Sequence, residues 1–260
     1  MLQASDIRVS LAGAPVLNGA AFAAEAGQIT AIVGPNGSGK TTLLRAMTQD
    51  LPYDGTITLD RDDIARVPAW KLATRRAVLP QASRIAFPFT VLEIVRLGLT
   101  AQGDAPETRA SDALARVGLA GFEGRFFQEL SGGEQQRAQL ARVLVQVWEP
   151  VGPDGPRWLF LDEPVASLDI GHQLEVMDLM ADYAARGGGV VAVMHDLNLT
   201  AIYSASVAML LAGRVVAQGA PAEVLTDATL SRAYGCDLRV NAAPPPPATF
   251  LLPHMARRAG

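Results

Sequence analysis

In QITAIVGPNGSGKTTLLRAMT, residues 28–48, a short apolar run gives way to a glycine-rich turn, and the turn to a segment with Leu43, Leu44 and Met47 on one helical face. A brief apolar run ending at glycine suits a buried strand, and apolar spacing of three and four suits a helix, so the stretch reads strand, loop, helix. The loop residues Gly34, Pro35, Asn36, Gly37, Ser38, Gly39, Lys40, Thr41 and Thr42 fit the pattern of glycine, four residues, glycine, lysine, threonine. Glycines let the backbone curl until several amides point at one anion, and the helix that follows adds its positive end. Lys40 is therefore expected at the β and γ phosphates of a nucleotide, and Thr41 is expected to place its hydroxyl on Mg²⁺.

A matching second half lies at residues 158–164, WLFLDEP, where an apolar run carries the chain through a core and delivers Asp162 and Glu163 at its exposed end. Asp162 is expected to hold Mg²⁺ through water. Glu163, one residue further and near the γ-phosphate, is placed to take a proton from attacking water. Gln81 ends the strand AVLP, and His195 ends the strand GVVAVM. Ligands of open parallel sheets bind outside the strand carboxyl ends, so both side chains are expected to converge on the γ-phosphate.

Around these motifs the chain changes period. Residues 5–34 fall into strand-length pieces, DIRVSL, VLNGAAF and QITAIVG, and GTITLD and AVLPQ add further strands. From about 84 to 147 the apolar spacing turns helical in TVLEIVRLGL, ETRASDALARVGL and GGEQQRAQLARVLVQVW, which predicts three or four helices. WEPVGPDGPR reads as a turn-rich loop. Beyond it strand and helix alternate again, SVAMLLAGRVVAQG reads as a hairpin turning at Ala212-Gly213, and short helices are expected near 221–225 and 227–234. APPPPA, residues 243–248, forces an extended segment, leaving TFLLPHMARRAG as a tail that adds a short strand or none.

A length of 260 residues, 49% of them hydrophobic, suits one well-packed domain. The formal net charge of −4 argues against a nucleic-acid partner, which a basic field would serve. One cysteine, Cys236, excludes an internal disulfide, fits a reducing compartment and reads as a small, partly buried side chain. The start lacks a signal peptide and no apolar run has the length of a membrane span, so a cytoplasmic chain is expected that reaches a membrane only through partners.

GPNGSGKTT, Gln81, LSGGEQQR at 130–137, LFLDEP, SLD at 167–169 and His195, in this order, resemble the full motif set of ATP-binding cassette ATPases, over residues 1–235. The resemblance implies an α/β fold of the ABC-type P-loop NTPase kind: a RecA-like parallel-sheet core, an N-terminal antiparallel β lobe and an inserted α-helical subdomain. It divides the chain into one ATPase domain, 1–240, with the lobe and core at 1–83 and 148–240 and the helical signature subdomain at 84–147, followed by a Pro-rich linker and tail at 241–260. It implies Glu163, His195 and Gln81 as the catalytic group and Thr41, Gln81 and Asp162 around Mg²⁺. Ser131, Gly132, Gly133 and Asp169 are implied to contact ATP in trans, across a head-to-tail homodimer. An amide cradle without a lysine binds anions modestly, but it can complete a γ-phosphate already held by Lys40 of a second subunit. Glu134 and Gln135 read as structural residues of the first helical turn. Family members stack adenine on an aromatic residue, and the aligned position here is Leu11.

A cassette with no fused membrane segment resembles the separate ATPase subunits of bacterial importers. That implies a membrane permease dimer as partner, a periplasmic binding protein acting indirectly, and a peripheral position on the cytoplasmic face of the inner membrane. Phe87, Phe89 and Val91 either line the permease groove or fill the chain's own core. RRAVLPQASRIAFPFTVLEIVRLG, with the inserted WEPVGPDGPRWLFLDEP, is similar to haem-import ATPases of Gram-negative bacteria, with iron-siderophore and cobalamin importers as the alternative. A soluble cassette ATPase acting on DNA or ribosomes would carry a coiled-coil insert, a second cassette or basic surfaces, and a non-hydrolysing scaffold would lack Lys40, Asp162, Glu163 or His195.

Overall fold

The computed structural model describes residues 1–81, 85, 87–101, 106 and 108–252. Its first element, β1 (Leu2–Leu11), folds back on β2 (Ala14–Ala24) through a turn at Ala12 and Gly13, both at positive φ. Leu2, Ala4, Ile7 and Val9 of β1 are buried. Their period-two alternation breaks once, between Ala4 and Ile7, where Asp6 at φ 51 shifts the register as a bulge does. β3 (Ile29–Val33) is buried throughout and leads through the glycine loop into α1 (Lys40–Met47). β4 (Asp54–Leu59) and β5 (Asp62–Asp63) complete an antiparallel sheet of order β2-β1-β4-β5.

α2 (Ala69–Arg75), opened by Pro68, precedes β6 (Arg76–Leu79). The helical block then comprises α3 (Val91–Arg96), α4 (Arg109–Arg116) and α5 (Gly132–Gln146). Thr90 caps α3 by accepting a hydrogen bond from the Glu93 amide while Glu93 accepts one from the Thr90 amide. Gln146, at the far end of α5, donates to the carbonyls of Ala73 and Arg76 at 2.9 and 3.0 Å, tying the block to the edge of the core.

After a small hairpin of β7 (Val151–Gly152) and β8 (Gly155–Pro156), the core resumes with β9 (Trp158–Asp162), α6 (Ile170–Ala185) and β10 (Gly189–Val193). Asp196 caps α7 (Leu197–Tyr203), followed by β11 (Ser206–Leu211), β12 (Arg214–Gly219), α8 (Pro221–Val224) and α9 (Asp227–Tyr234). The second sheet has the order β12-β11-β3-β10-β9-β6, parallel except for β12.

Both faces of this sheet are covered, which is why its strands read as unbroken apolar runs. Trp158, Phe160, Val191 and Ile32 point toward α1 and the antiparallel sheet, packing with Leu43, Leu44, Met47, Phe22 and Ile57. Leu159, Leu161, Val190 and Ala31 face the other way, against Leu140, Leu144, Met177 and Met180 of α5 and α6. Each such large side chain, fully buried, contributes roughly 1.5–3 kcal/mol. The order of the parallel strands places the carboxyl ends of β3, β9 and β10 side by side.

The expected architecture is present, with local differences. WEPVGPDGPR is the β7–β8 hairpin, turning at Pro153-Asp154, rather than a featureless loop. TVLEIVRLGL divides into α3 and a tighter 3-10 turn over Leu97–Ala101. Val91 is buried in the core, Phe89 packs partly against it, and Phe87 is 69% exposed. Cys236 is exposed in the segment after α9, not partly buried, because the chain has left its last core helix there. No strand forms over residues 249–252, and the rest of the tail lies outside the described residues, as does the expected subdomain boundary at Arg84.

Candidate functional site

The glycine loop leaves β3 with Gly34 at φ 149, where an added Cβ would stand 2.1 Å from the Leu210 carbonyl oxygen. Only glycine fits there. The loop then reaches α1, whose first residue is Lys40. Lys40 is buried, and its Nζ donates to the carbonyls of Gly34 and Pro35 at 2.9 and 3.1 Å. Those bonds curl the loop around the ammonium and engage two of its three N–H donors. Burial lowers the Lys40 pKa, against the opposing pull of Glu163 and Asp162.

A relay of backbone bonds holds the loop from outside. Gly213 donates to the Ser38 carbonyl at 3.0 Å and accepts from the Asn18 amide at 3.0 Å, so the β11–β12 turn clamps the loop to β2. Ala212 and Gly213 have φ of 48 and 75, as a two-residue hairpin turn of this hand requires, and a Cβ on Gly213 would lie 2.2 Å from the Val16 carbonyl. Gly213→Ala must therefore displace either the turn or Val16. We expect a loss of about 1–3 kcal/mol in folding stability, with a weakened ATP affinity, read by thermal melts and titration calorimetry; an unchanged affinity would show that the turn does not position the loop.

β9 delivers Asp162 buried and Glu163 half-buried. Asp162 Oδ1 accepts from the Thr41 hydroxyl at 3.1 Å. Burial raises the Asp162 pKa, opposed by the Thr41 hydrogen bond, while Glu163 raises it further. His195 Nε2 lies 2.7 Å from Glu163 Oε1. Asn36, Gly37, Gly39, Lys40, Thr41, Thr42, Gln81, Glu163 and His195 line one open cleft of about 470 Å³. That volume suits a small-molecule ligand. Residues far apart in sequence thus meet as the strand-end argument expects.

The cleft's apolar wall is Val16, which the sequence reading did not single out. Leu11, the position aligned with adenine stacking, is 40% exposed at the end of β1 and does not line the cleft. An alternation signal existed for Val16: it is half-buried, beside the fully buried Leu17 of β2.

Ser131, Gly132, Gly133 and Asp169 do not line this cleft either. Ser131 and Gly132 are exposed at the start of α5. Ser131 caps that helix, its Oγ accepting from the Glu134 amide at 3.3 Å while its own amide donates to Glu134 at 2.7 Å. Gln135 donates to the carbonyls of Phe127 and Leu130. Glu134 and Gln135 therefore serve the helix start. Asp169 is exposed, caps α6 through the His172 amide and lies 2.8 Å from His172 Nδ1.

The chain is similar to known proteins over its whole length. Residues 17–166 match the sequence family described as ABC transporter. The hemin import ATP-binding protein HmuV of Jannaschia sp. (strain CCS1) is 67% identical, the alignment covering 100% of this chain and 97% of that one. HmuV of Roseobacter denitrificans is 59% identical over 99% of each. Among solved structures, the ATP-binding subunit of an ABC transporter superposes with a TM-score of 0.76 at 23% identity, covering 91% of this chain and 94% of that one. The ADP conformation of an ABC transporter cassette also gives 0.76, at 23% identity, over 90% and 98%. With its glycine loop, paired carboxylates and strand-end histidine gathered at one cleft, and with relatives of this identity along its full length, the chain belongs to the ABC transporter family.

Proposed function

We propose that this chain is the ATP-hydrolysing subunit of a haem importer and works as a head-to-tail homodimer on a membrane permease. The convergence of Lys40, Thr41, Gln81, Glu163 and His195 on one cleft carries the hydrolytic reading. Relatives named as hemin import proteins at 67% and 59% identity support haem as the cargo. ATP binds with its phosphates in the amides of residues 34–42, facing Lys40. One water is activated by Glu163, whose carboxylate accepts the proton as the water oxygen bonds to the γ-phosphorus and the bond to the β-phosphate oxygen breaks. ADP and phosphate remain. His195, 2.7 Å from the Glu163 carboxylate and lining the same cleft, orients that carboxylate and meets the γ-phosphate when ATP binds.

Mg²⁺ fits the residues present. Thr41 and Asp162 are hard oxygen donors 3.1 Å apart, and Gln81 adds an amide oxygen to the same cleft. No cluster of three His, Cys, Asp or Glu exists among the described residues, which suits an ion that takes few protein ligands and completes its shell with phosphate and water. When bound it neutralises phosphate charge; the residues that hold it are Thr41, Asp162 and Gln81.

Ser131, Gly132, Gly133 and Asp169 are assigned to the partner's nucleotide, because all four stand apart from their own cleft and Ser131, Gly132 and Asp169 are exposed. The domain division at 84–147 follows the same logic, with the helices carrying the exposed signature loop. Among the described residues no helix is long and apolar enough to cross a membrane. We place the chain on the cytoplasmic face of the inner membrane, held by the permease through the exposed Trp70, Phe87, Leu97 and Phe126 of the helical side; the periplasmic binding protein acts from across the permease.

The test is reconstitution of the chain with a haem-importer permease. Haem-loaded binding protein should raise ATP hydrolysis in such vesicles and drive haem inside. Stimulation by a siderophore or cobalamin complex but not by haem would reassign the cargo, and stimulation by nucleic acid in place of the permease would remove the transport reading.

A further inference from the structure

We propose that Gln136 is a positioning residue for the catalytic base, joining the loop that touches one nucleotide to the carboxylate that acts on the other. The inference rests on the two-site reading above.

Glu163 holds an unusual backbone. Its φ is 54, in the left-handed region that a residue with a Cβ enters only when its surroundings hold it there. Four contacts do so. Its amide donates to the Val193 carbonyl at 3.2 Å, and its carboxylate meets His195 at 2.7 Å. Its carbonyl accepts from the Ala166 amide at 3.4 Å and from Gln136 Nε2 at 3.4 Å. Three of these partners belong to the same sheet end or to the same turn. Gln136 alone comes from the helical block.

Its place on α5 gives that contact meaning. Gly133 and Gln136 are three residues apart, hence on one face of the helix. A Cβ on Gly133 would lie 3.2 Å from the Ser167 carbonyl and 3.3 Å from Leu168. The first turn of α5 therefore rests on both ends of the segment 163–168: Gly133 on its far end, Gln136 on Glu163 itself. Ser131 is the N-cap of the same turn. When Ser131 engages the partner's nucleotide, the turn that it caps sets the carbonyl of Glu163, and through that peptide the direction of the carboxylate. Gln136 touches neither nucleotide nor water; it acts through Glu163.

Two variants test this in the full chain. Gln136→Glu has the same shape but replaces the N–H donor by an acceptor, and Gln136→Met keeps length without adding charge. Both should lower kcat roughly ten- to hundredfold, the range a misplaced catalytic group gives, with KM for ATP and thermal melting little changed. In a Glu163→Gln background, where no base is left to position, Gln136→Glu should leave ATP-driven dimer formation as complete as it is with Gln136 intact, read by gel filtration. Unchanged turnover in both variants overturns the proposal. So does loss of the ATP-bound dimer in the double variant, which would mark Gln136 as a packing residue of the signature turn. If Glu163→Gln alone forms no dimer with ATP, the two-site reading falls, and the link between sites with it, whereas lowered kcat in the single variants would still tie Gln136 to its own cleft.

Discussion

Glu163→Gln is expected to reduce ATP turnover by about two to four orders of magnitude while leaving ATP binding intact. The substitution keeps the size and planarity of the side chain, so the contact with His195, now 2.7 Å, can be retained through the amide oxygen. The ability to accept a proton is lost. The groups that grip the nucleotide, Lys40 held by the Gly34 and Pro35 carbonyls and Thr41 bonded to Asp162, keep their hydrogen bonds, none of which involves Glu163. Binding and turnover should therefore separate, and phosphate release measured beside equilibrium ATP binding checks it. On the proposed two-site reading ATP should also accumulate a closed dimer, because hydrolysis would no longer remove the γ-phosphate that joins the halves. Retained turnover would mean that Glu163 orients water without taking its proton, and the base would have to be sought elsewhere in the cleft.

Ser131→Arg should spare ATP binding to the single chain and abolish both ATP-driven dimerisation and steady-state hydrolysis, the latter by about two orders of magnitude or more. The argument is one of location. Ser131 lies outside its own cleft and faces solvent at the start of α5. Arginine removes the cap that bonds the Glu134 amide, at a cost of about 1 kcal/mol, and fills the space that a partner's phosphate would enter on the head-to-tail reading. Ser131→Ala separates the two effects: it loses the cap but adds no bulk, so it should dimerise where the arginine variant does not. Equal loss in both variants would trace the defect to helix fraying. Undiminished turnover of Ser131→Arg would show that one chain completes its own site.

The nucleotide half of the site was legible because it is local. GPNGSGKTT carries its strand, its turn and its helix within one stretch, and WLFLDEP is a buried strand whose apolar run stops at the chemistry. Gln81 and His195 needed only the rule for strand ends, and they line the cleft with Glu163. What escaped was of other kinds. α7 follows His195 at once behind an Asp cap, and α2 opens behind Pro68; both carry start signals but are too short for an apolar period to show. Val16 was missed because alternation sets it on the face of β2 opposite the buried Leu17 but does not say whether that face meets solvent or a cleft. Phe87, Phe89 and Val91 are three apolar residues in close succession with three different fates, exposed, half-covered and buried, which depend on how the helical block packs. The Gln136 contact joins elements that only the tertiary fold brings together.

The two ends of α5 are held unequally. At its last turn Gln146 bonds the Ala73 carbonyl of α2 and the Arg76 carbonyl at the start of β6, and Val143, Leu144 and Val145 are buried; at its first turn Gly133 lies against Ser167 and Leu168 and Gln136 reaches the Glu163 carbonyl, while Ser131 and Gly132 are exposed. Fifteen residues make a rod about 22 Å long. Burial along α5 is graded, near complete from Arg137 onward and partial before it, so the least-packed turn of the rod is the one at Ser131. On the head-to-tail reading, the second nucleotide would arrive where the helix has the least packing to displace.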